Sequence, residues 1–237
     1  MTASPERGEG PGASGPGAAG PGAAGLGAAG PGGGKRRPLA RFVLKVLAWL
    51  PLCFAVWYFT SPLLTLPIQW LTQAVTKLGF ADMIVDVEKA SSVLSFVTNL
   101  RPASATTSSV GRAGSVVVDS SALIYTYGLP LFAALTLAAT GLKNGARLAK
   151  VLAIGYVVLL PFQTWGVVAD ALKQLAITMG PAISSQTGFS ATQREVIAFA
   201  YQFGTLILPT VIPAIVWVLL HRPFLERMSE DIGRGRS

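Results

Sequence analysis

Four long apolar stretches, Phe42–Thr60, Ala122–Ala139, Val151–Val168 and Val196–Leu220, alternate with basic and polar segments along this chain. Each is close to the ~20 residues that an α-helix needs to cross a ~30 Å hydrocarbon core. Hydrophobic residues make up 51% of the chain and charged residues 13%. A soluble domain of this size would have no interior large enough for four such runs, so the pattern predicts a multi-span membrane protein.

The basic residues predict its orientation. Lys35, Arg36, Arg37, Arg41 and Lys45 precede or open the first stretch. Lys143, Arg147 and Lys150 fill the short loop between the second and third, and Arg222, Arg227, Arg234 and Arg236 follow the fourth. In residues 61–121 and 169–195 the cations are offset by acids such as Asp82, Asp86, Glu88 and Glu195. Lys and Arg are retained on the cytoplasmic side during insertion. Both termini and the loop at 140–150 are therefore expected in the cytoplasm, with 61–121 and 169–195 outside. The net charge of +8 is read as topology and contact with anionic lipid. A basic face with interleaved aromatics, the mark of a nucleic-acid binder, is missing.

Residues 1–38 are expected to be a separate cytoplasmic tail. Gly10–Gly34 is almost entirely Gly, Ala and Pro without a strict triplet period, which excludes collagen and offers too little apolar surface to offset the entropy of ordering. No basic start runs directly into a short apolar core, so a cleaved signal peptide is not expected, and the first span is read as a signal anchor. Residues 39–222 form the expected four-span domain, with 61–121 as an outward insertion and 223–237 as a cytoplasmic tail.

Within the insertion, Pro62 is expected to end the first span, and Pro51 to kink it. Leu64, Ile68, Leu71, Val75 and Leu78 then recur at helical spacing, with Thr65, Gln69, Thr72, Gln73 and Thr76 on other faces. This predicts an amphipathic helix, lying on the leaflet or packed on neighbours. Met83–Glu88, Val93–Thr98 and Ser115–Asp119 read as short strands, and Arg101–Gly114 as a loop. The expected fold is an all-α membrane protein of four transmembrane helices with a small outward-facing α+β cap of an amphipathic helix and two or three strands.

The usual carriers of chemistry are scarce. Cys53 and His221 are the single cysteine and the single histidine. The first reads as a buried hydrophobe within span one and the second as a helix-end residue at the inner surface, too far apart to act together. No metal-ligand spacing, phosphate-binding glycine loop or nucleophile elbow is present, so no cofactor is expected. The candidate site is polar. Gln163, Asp170 and Gln174 share one face of span three, and Glu195 and Gln202 one face of span four. Asp170 and Lys173 are expected beside Arg194 and Glu195 at the outer surface. Gln163 and Gln202 each fall about 10 Å deeper, at matching depth on antiparallel helices. They read either as interhelical ties worth about 0.6–2 kcal/mol each or as the lining of an outward crevice for a substrate or partner.

The segments LPLCFAVWYFTSPLLTLPIQWL (50–71), SALIYTYGLPLFAALTLA (121–138), LLPFQTWGVVADALKQLA (159–176) and QREVIAFAYQFGTLILPTVIPAIVW (193–217) carry motifs unlike generic membrane filler: Tyr-x-Tyr-Gly-Leu-Pro, Gln-x-Trp-Gly and Gln-Arg-Glu. Together, over residues 42–228, the chain resembles the exosortase H-associated membrane protein family. The resemblance implies a companion, in the bacterial inner membrane, of an integral-membrane cysteine peptidase that processes proteins bearing a C-terminal sorting signal. It brings no catalytic motif, and the Cys, Arg and His set of the peptidase itself is missing here. The expected function is accessory and non-catalytic, through contact with an exosortase or another integral-membrane partner. A non-enzymatic subunit of an envelope transport or polysaccharide-export system is the alternative. An enzyme would need a reacting group at the outer crevice, where Asp170 with Glu195 is the only carboxylate pair available.

Overall fold

The computed structural model describes residues 38–101, 114–142 and 144–234. The glycine-rich run and most of the loop expected at 101–114 lie outside the described residues. Four helices are long and apolar enough to cross a membrane: Leu39–Gly79, Leu123–Thr140, Gly145–Thr178 and Ala191–Leu220. The chain is a membrane protein built on these four helices and a small three-stranded antiparallel sheet.

The first helix, α1, runs unbroken over Pro38–Gly79, 42 residues that include Pro51, Pro62 and Pro67. Its length is about 63 Å at 1.5 Å per residue. The expected division at Pro62 does not occur. Proline leaves the carbonyl four residues back without its amide partner, which for Pro62 is that of Tyr58. The Ser61 hydroxyl donates to this carbonyl at 2.7 Å, so the ladder survives the missing N–H.

Strands β1 (Ile84–Ala90), β2 (Val93–Thr98) and β3 (Val117–Ser121) pair in the order β1-β2-β3. Val87, Phe96 and Val118 lie opposite one another across the sheet, and all three are buried. The register of β1 slips between Ile84 and Asp86. An extra residue there reverses the alternation, so Ile84 and Val87 both face inward while Val85 is exposed. Ala90 pairs with Val93 across a two-residue turn. Ser91 takes the left-handed conformation there, at φ 58°, and the Ser92 hydroxyl meets that of Ser61 at 2.9 Å.

The face that α1 turns to the sheet keeps Ile68 of the expected apolar stripe but is otherwise mostly hydroxyl. Ser61, Thr65, Ile68, Thr72 and Thr76 are buried, whereas Trp70, Val75 and Leu78 are exposed. Small hydroxyl residues let the sheet approach closely, and the Thr65 hydroxyl returns its polarity to the helix by donating to the Ser61 carbonyl at 2.8 Å. Gln69 donates to the Val87 carbonyl at 3.0 Å and Gln73 to the Asp86 carboxylate at 2.7 Å. Helix and edge strand are thus fastened by side-chain amides, and the Gln69 bond uses a carbonyl that an edge strand would leave open.

After β3 the chain turns at once into α2 (Leu123–Thr126) and α3 (Gly128–Thr140). Helix α4 (Gly145–Lys173) is capped by Asn144, which accepts from the Arg147 amide at 3.2 Å, and runs into a π-turn at Gln174–Thr178. Helix α5 (Pro181–Ser184) is a single turn. Ser190 and Gln193 form a reciprocal capping box at the start of α6 (Ala191–Gln202). A second π-turn, Phe203–Ile207, joins α6 to α7 (Leu208–Leu220). Beyond it Arg222–Arg234 forms a further helix, α8, where a tail was expected from the sequence.

Two apolar cores result. One joins the inner face of the sheet to α1 and α4 through Ile68, Val87, Phe96, Val118, Val167 and Leu175. Each such buried side chain contributes roughly 1.5–3 kcal/mol. The other lies among the spans around Leu129, Phe132, Leu159, Val216 and Trp217. Phe42 near the start of α1 stacks on Trp217 and meets Phe224, each at 5.5 Å between ring centroids. The start of α1 and the α7–α8 junction therefore lie at the same end of the bundle.

Candidate functional site

Asp170 sits near the end of α4, where the sheet packs on the spans. Ser120 of β3 donates to its carboxylate at 2.8 Å, and Gln174, one turn on, donates to the same oxygen at 3.1 Å. Gln174 also donates to the Asp119 carbonyl at 3.0 Å, and the Asp119 carboxylate accepts from Ser95 at 2.6 Å. The series Ser95, Asp119, Gln174, Asp170, Ser120 runs from the middle strand to the third span. The Tyr125 hydroxyl faces Asp170 and Thr205, with Tyr201 alongside. The Lys173 ammonium lies over the Tyr201 ring at 4.5 Å. Asp170 is thus satisfied by neutral donors, and among the described residues it forms no ion pair with Lys173 or Arg194. Such an arrangement fastens and positions.

Gln163 lies deeper on the same helix. It is 4% exposed, and its Oε1 has no hydrogen-bond partner. It lines a small cavity with Tyr125, Gly128, Leu159, Phe162, Leu208, Pro209 and Pro213. About 10 Å³ is open to the centre of a water-sized molecule, room for a single water. The wall opposite is made by proline chemistry. Pro213 cannot donate to the carbonyl of Pro209, and a Cβ placed on Gly128 would collide with that carbonyl oxygen. Glycine lets α3 approach α7 at this point. Gly166 similarly accommodates the Tyr125 ring against α4.

The expected pairing of Gln163 with Gln202 does not form. Gln202 is exposed and Gln163 faces the cavity. Depth along a helix does not set angle. The inward face of α6 is marked by Ile197, its buried residue, while the Ala200 carbonyl accepts from the Trp165 indole at 3.2 Å. Five residues on from Ile197, at 100° per residue, Gln202 points about 140° away. Nor does the structure gather Arg194 and Glu195 around Asp170. Arg194 donates to the Ser184 carbonyl at 3.2 Å, and Glu195 is exposed on α6 with Phe199 and Gln202. The expected crevice is therefore divided into a satisfied latch at Asp170, a one-water cavity at Gln163, and a mixed polar and apolar surface on α6.

Ser120, Tyr125 and Thr205 join the latch without having been singled out from the sequence. The one available signal was Tyr125 in the Tyr-x-Tyr-Gly motif. Cys53 is buried in α1. His221 caps α7, 5% exposed, with Nδ1 3.0 Å from the Trp217 carbonyl and its ring stacked on Trp217 at 5.2 Å. Burial pushes its pKa below 6.5, more than the Trp217 hydrogen bond raises it, and the nearby charge of Arg147 adds to the lowering. Among the described residues no group of His, Cys, Asp and Glu is arranged to hold a metal ion.

Comparison with protein families gives a match over residues 36–224 to the model of the exosortase H-associated membrane protein. No curated protein and no solved structure matches the chain. The match covers most of the chain, which therefore belongs to the exosortase H-associated membrane protein family.

Proposed function

We propose that this member of the family is a non-catalytic companion of exosortase H in the bacterial inner membrane, supporting the processing of envelope proteins that carry a sorting signal. The observation that carries this reading is the family match across all four apolar helices and the sheet. The side chains agree with it, because Asp170 Oδ2 fastens Ser120 and Gln174, and Cys53 and His221 are buried on different elements. The partner surface we assign is the outer part of α6, where Glu195, Phe199 and Gln202 share one exposed face next to Lys173 and Arg194. Gln163 and Asp170 support that surface from behind. An exposed aromatic with polar neighbours is the composition that protein contacts favour.

In this reading the sheet lies on the outward side of the inner membrane and both termini lie in the cytoplasm. Arg41 and Lys45 open α1, Arg147 and Lys150 open α4, and Arg222 and Arg227 follow α7, as the positive-inside rule requires of a cytoplasmic end. Reporter fusions after Gly114 and Gly180 should register outside, and fusions after Asn144 and Ser237 inside. A cytoplasmic signal at Gly114 would overturn this orientation. The association is tested by co-isolating exosortase H with the full-length protein from native membranes. Retention by wild type and loss by Glu195→Ala/Gln202→Ala at equal expression is expected. No retention by wild type, with normal processing when the gene is deleted, would refute the reading.

A further inference from the structure

The cavity at Gln163 presents hydrogen-bond acceptors that lack their donors. Gln163 is 4% exposed, and its Oε1 has no hydrogen-bond partner. On the facing wall, the Pro209 carbonyl oxygen turns toward Gly128, which lines the same cavity. The regular helical donor to that oxygen would be the amide of residue 213, and Pro213 has none. Pro209 removes the donor one turn earlier as well, directly after the π-turn at Phe203–Ile207. The other polar side chain of the wall, Tyr125, has its hydroxyl engaged by Asp170 and Thr205.

The space matches one small molecule. The centre of a water has about 10 Å³ to occupy, close to the least volume that holds one. Cavities that stay dry are lined by apolar groups alone, whereas this one has an amide oxygen and a proline-freed carbonyl in its walls. Lipid cannot serve them, because acyl chains carry no donor. A bare cation is a poor fit, since hard cations take about six oxygen ligands and no lining side chain is charged.

We propose that a single water occupies this cavity and donates one hydrogen to Gln163 Oε1 and the other to the Pro209 carbonyl. Through that water α4 supplies the bond that Pro213 removes from α7. Water suits the site because it carries two donors, and the site offers two acceptors from different helices. Gln163 is thereby a positioning residue for the proline-containing turn of α7, acting through the water and not on any substrate. The assignment is independent of the partner read for α6. Immobilising a water offsets much of what its bonds gain, so replacing Gln163 moves stability little, and hydration of the cavity is the direct readout.

The test uses isotope-labelled full-length protein in bilayers of deuterated lipid and reads transfer of magnetisation from water to the protein by solid-state NMR. Transfer is expected at the Gln163 side-chain amide and at Gly128, although both are buried. None is expected at Gly155, which is buried against the Phe132 ring and does not line the cavity. Gln163→Met, of similar length but without the carbonyl oxygen, should abolish the signal at Gly128, and so should Gln163→Leu. Gln163→Glu, which keeps an oxygen at that place, should retain it. No transfer at Gln163 or Gly128 in the wild type would show a dry cavity and overturn the proposal. Equal transfer at Gly155 would assign the signal to general solvent leakage. An undiminished signal at Gly128 in both apolar variants would show that Gln163 does not hold the water, and a signal that appears only with sodium in the buffer would put a hydrated cation there. Each of these results refutes the bridge.

Discussion

Ser120 and Asp170, fifty residues apart in sequence, share a 2.8 Å hydrogen bond that ties the last strand of the sheet to the third span. A bond to a charged acceptor contributes about 1.5–3 kcal/mol. Ser120→Ala and Asp170→Ala should each lower stability by about that amount. Because both remove the same interaction, the double variant should lose less than the sum. Thermal unfolding of the four proteins in one detergent measures the coupling, and strict additivity would show that the two residues act independently.

Gly128→Ala should destabilise the bundle by about 1–3 kcal/mol, the usual penalty for overpacking. The added methyl would run into the Pro209 carbonyl and the Pro213 ring, so α3 must retreat from α7. Alanine at Gly145, where nothing lies within 4 Å, should be neutral. Similar melting temperatures for the two variants would contradict the close crossing.

Replacing Gln163 alone with Leu should leave stability unchanged or raise it. The change removes a buried acceptor without a protein partner and keeps the volume apolar, and losing such a group is close to neutral or favourable. The measurement is the unfolding midpoint of Gln163→Leu beside that of Gln202→Leu, which alters only an exposed site. A fall of more than about 1 kcal/mol at Gln163 would show that the amide is held by a strong bridging interaction.

His221 makes stability depend on pH. Burial lowers its pKa in the folded chain below the ordinary 6.5, so the unfolded chain binds the proton more readily. Its contribution is fully present above pH ~6.5 and is lost as pH falls through the folded value. Melting temperature should therefore decline between about pH 7 and about pH 5. His221→Phe, which keeps a ring on Trp217, should flatten that decline. An identical slope in the variant would assign the effect to other groups.

The four spans and the strands were legible because apolar length and two-residue alternation act locally. What escaped depends on neighbours. Pro62 reads as a break until the Ser61 hydroxyl is seen to satisfy Tyr58. Thr65, Thr72 and Thr76 read only as faces other than the apolar one, and it is the sheet packing on them that buries them. Of the candidate site, Asp170 with Gln174 on one face was readable from helical spacing, as was the surface placement of Glu195. The partners Ser120, Tyr125 and Thr205 were not, since they arrive from other elements. The two glutamines show the limit most clearly, for rise per residue bears only on depth, while packing determined their direction.

The unbroken α1 also has a mechanical meaning. A rod of about 63 Å pivoting by about 10° carries its far end through about 11 Å. The sheet is clasped to the last part of that rod by Gln69 and Gln73 and anchored to α4 by Ser120. A small reorientation of the first span inside the lipid is therefore delivered to the sheet as a large displacement, opposed by the Ser120–Asp170 and Gln174–Asp119 hydrogen bonds and the apolar core behind them.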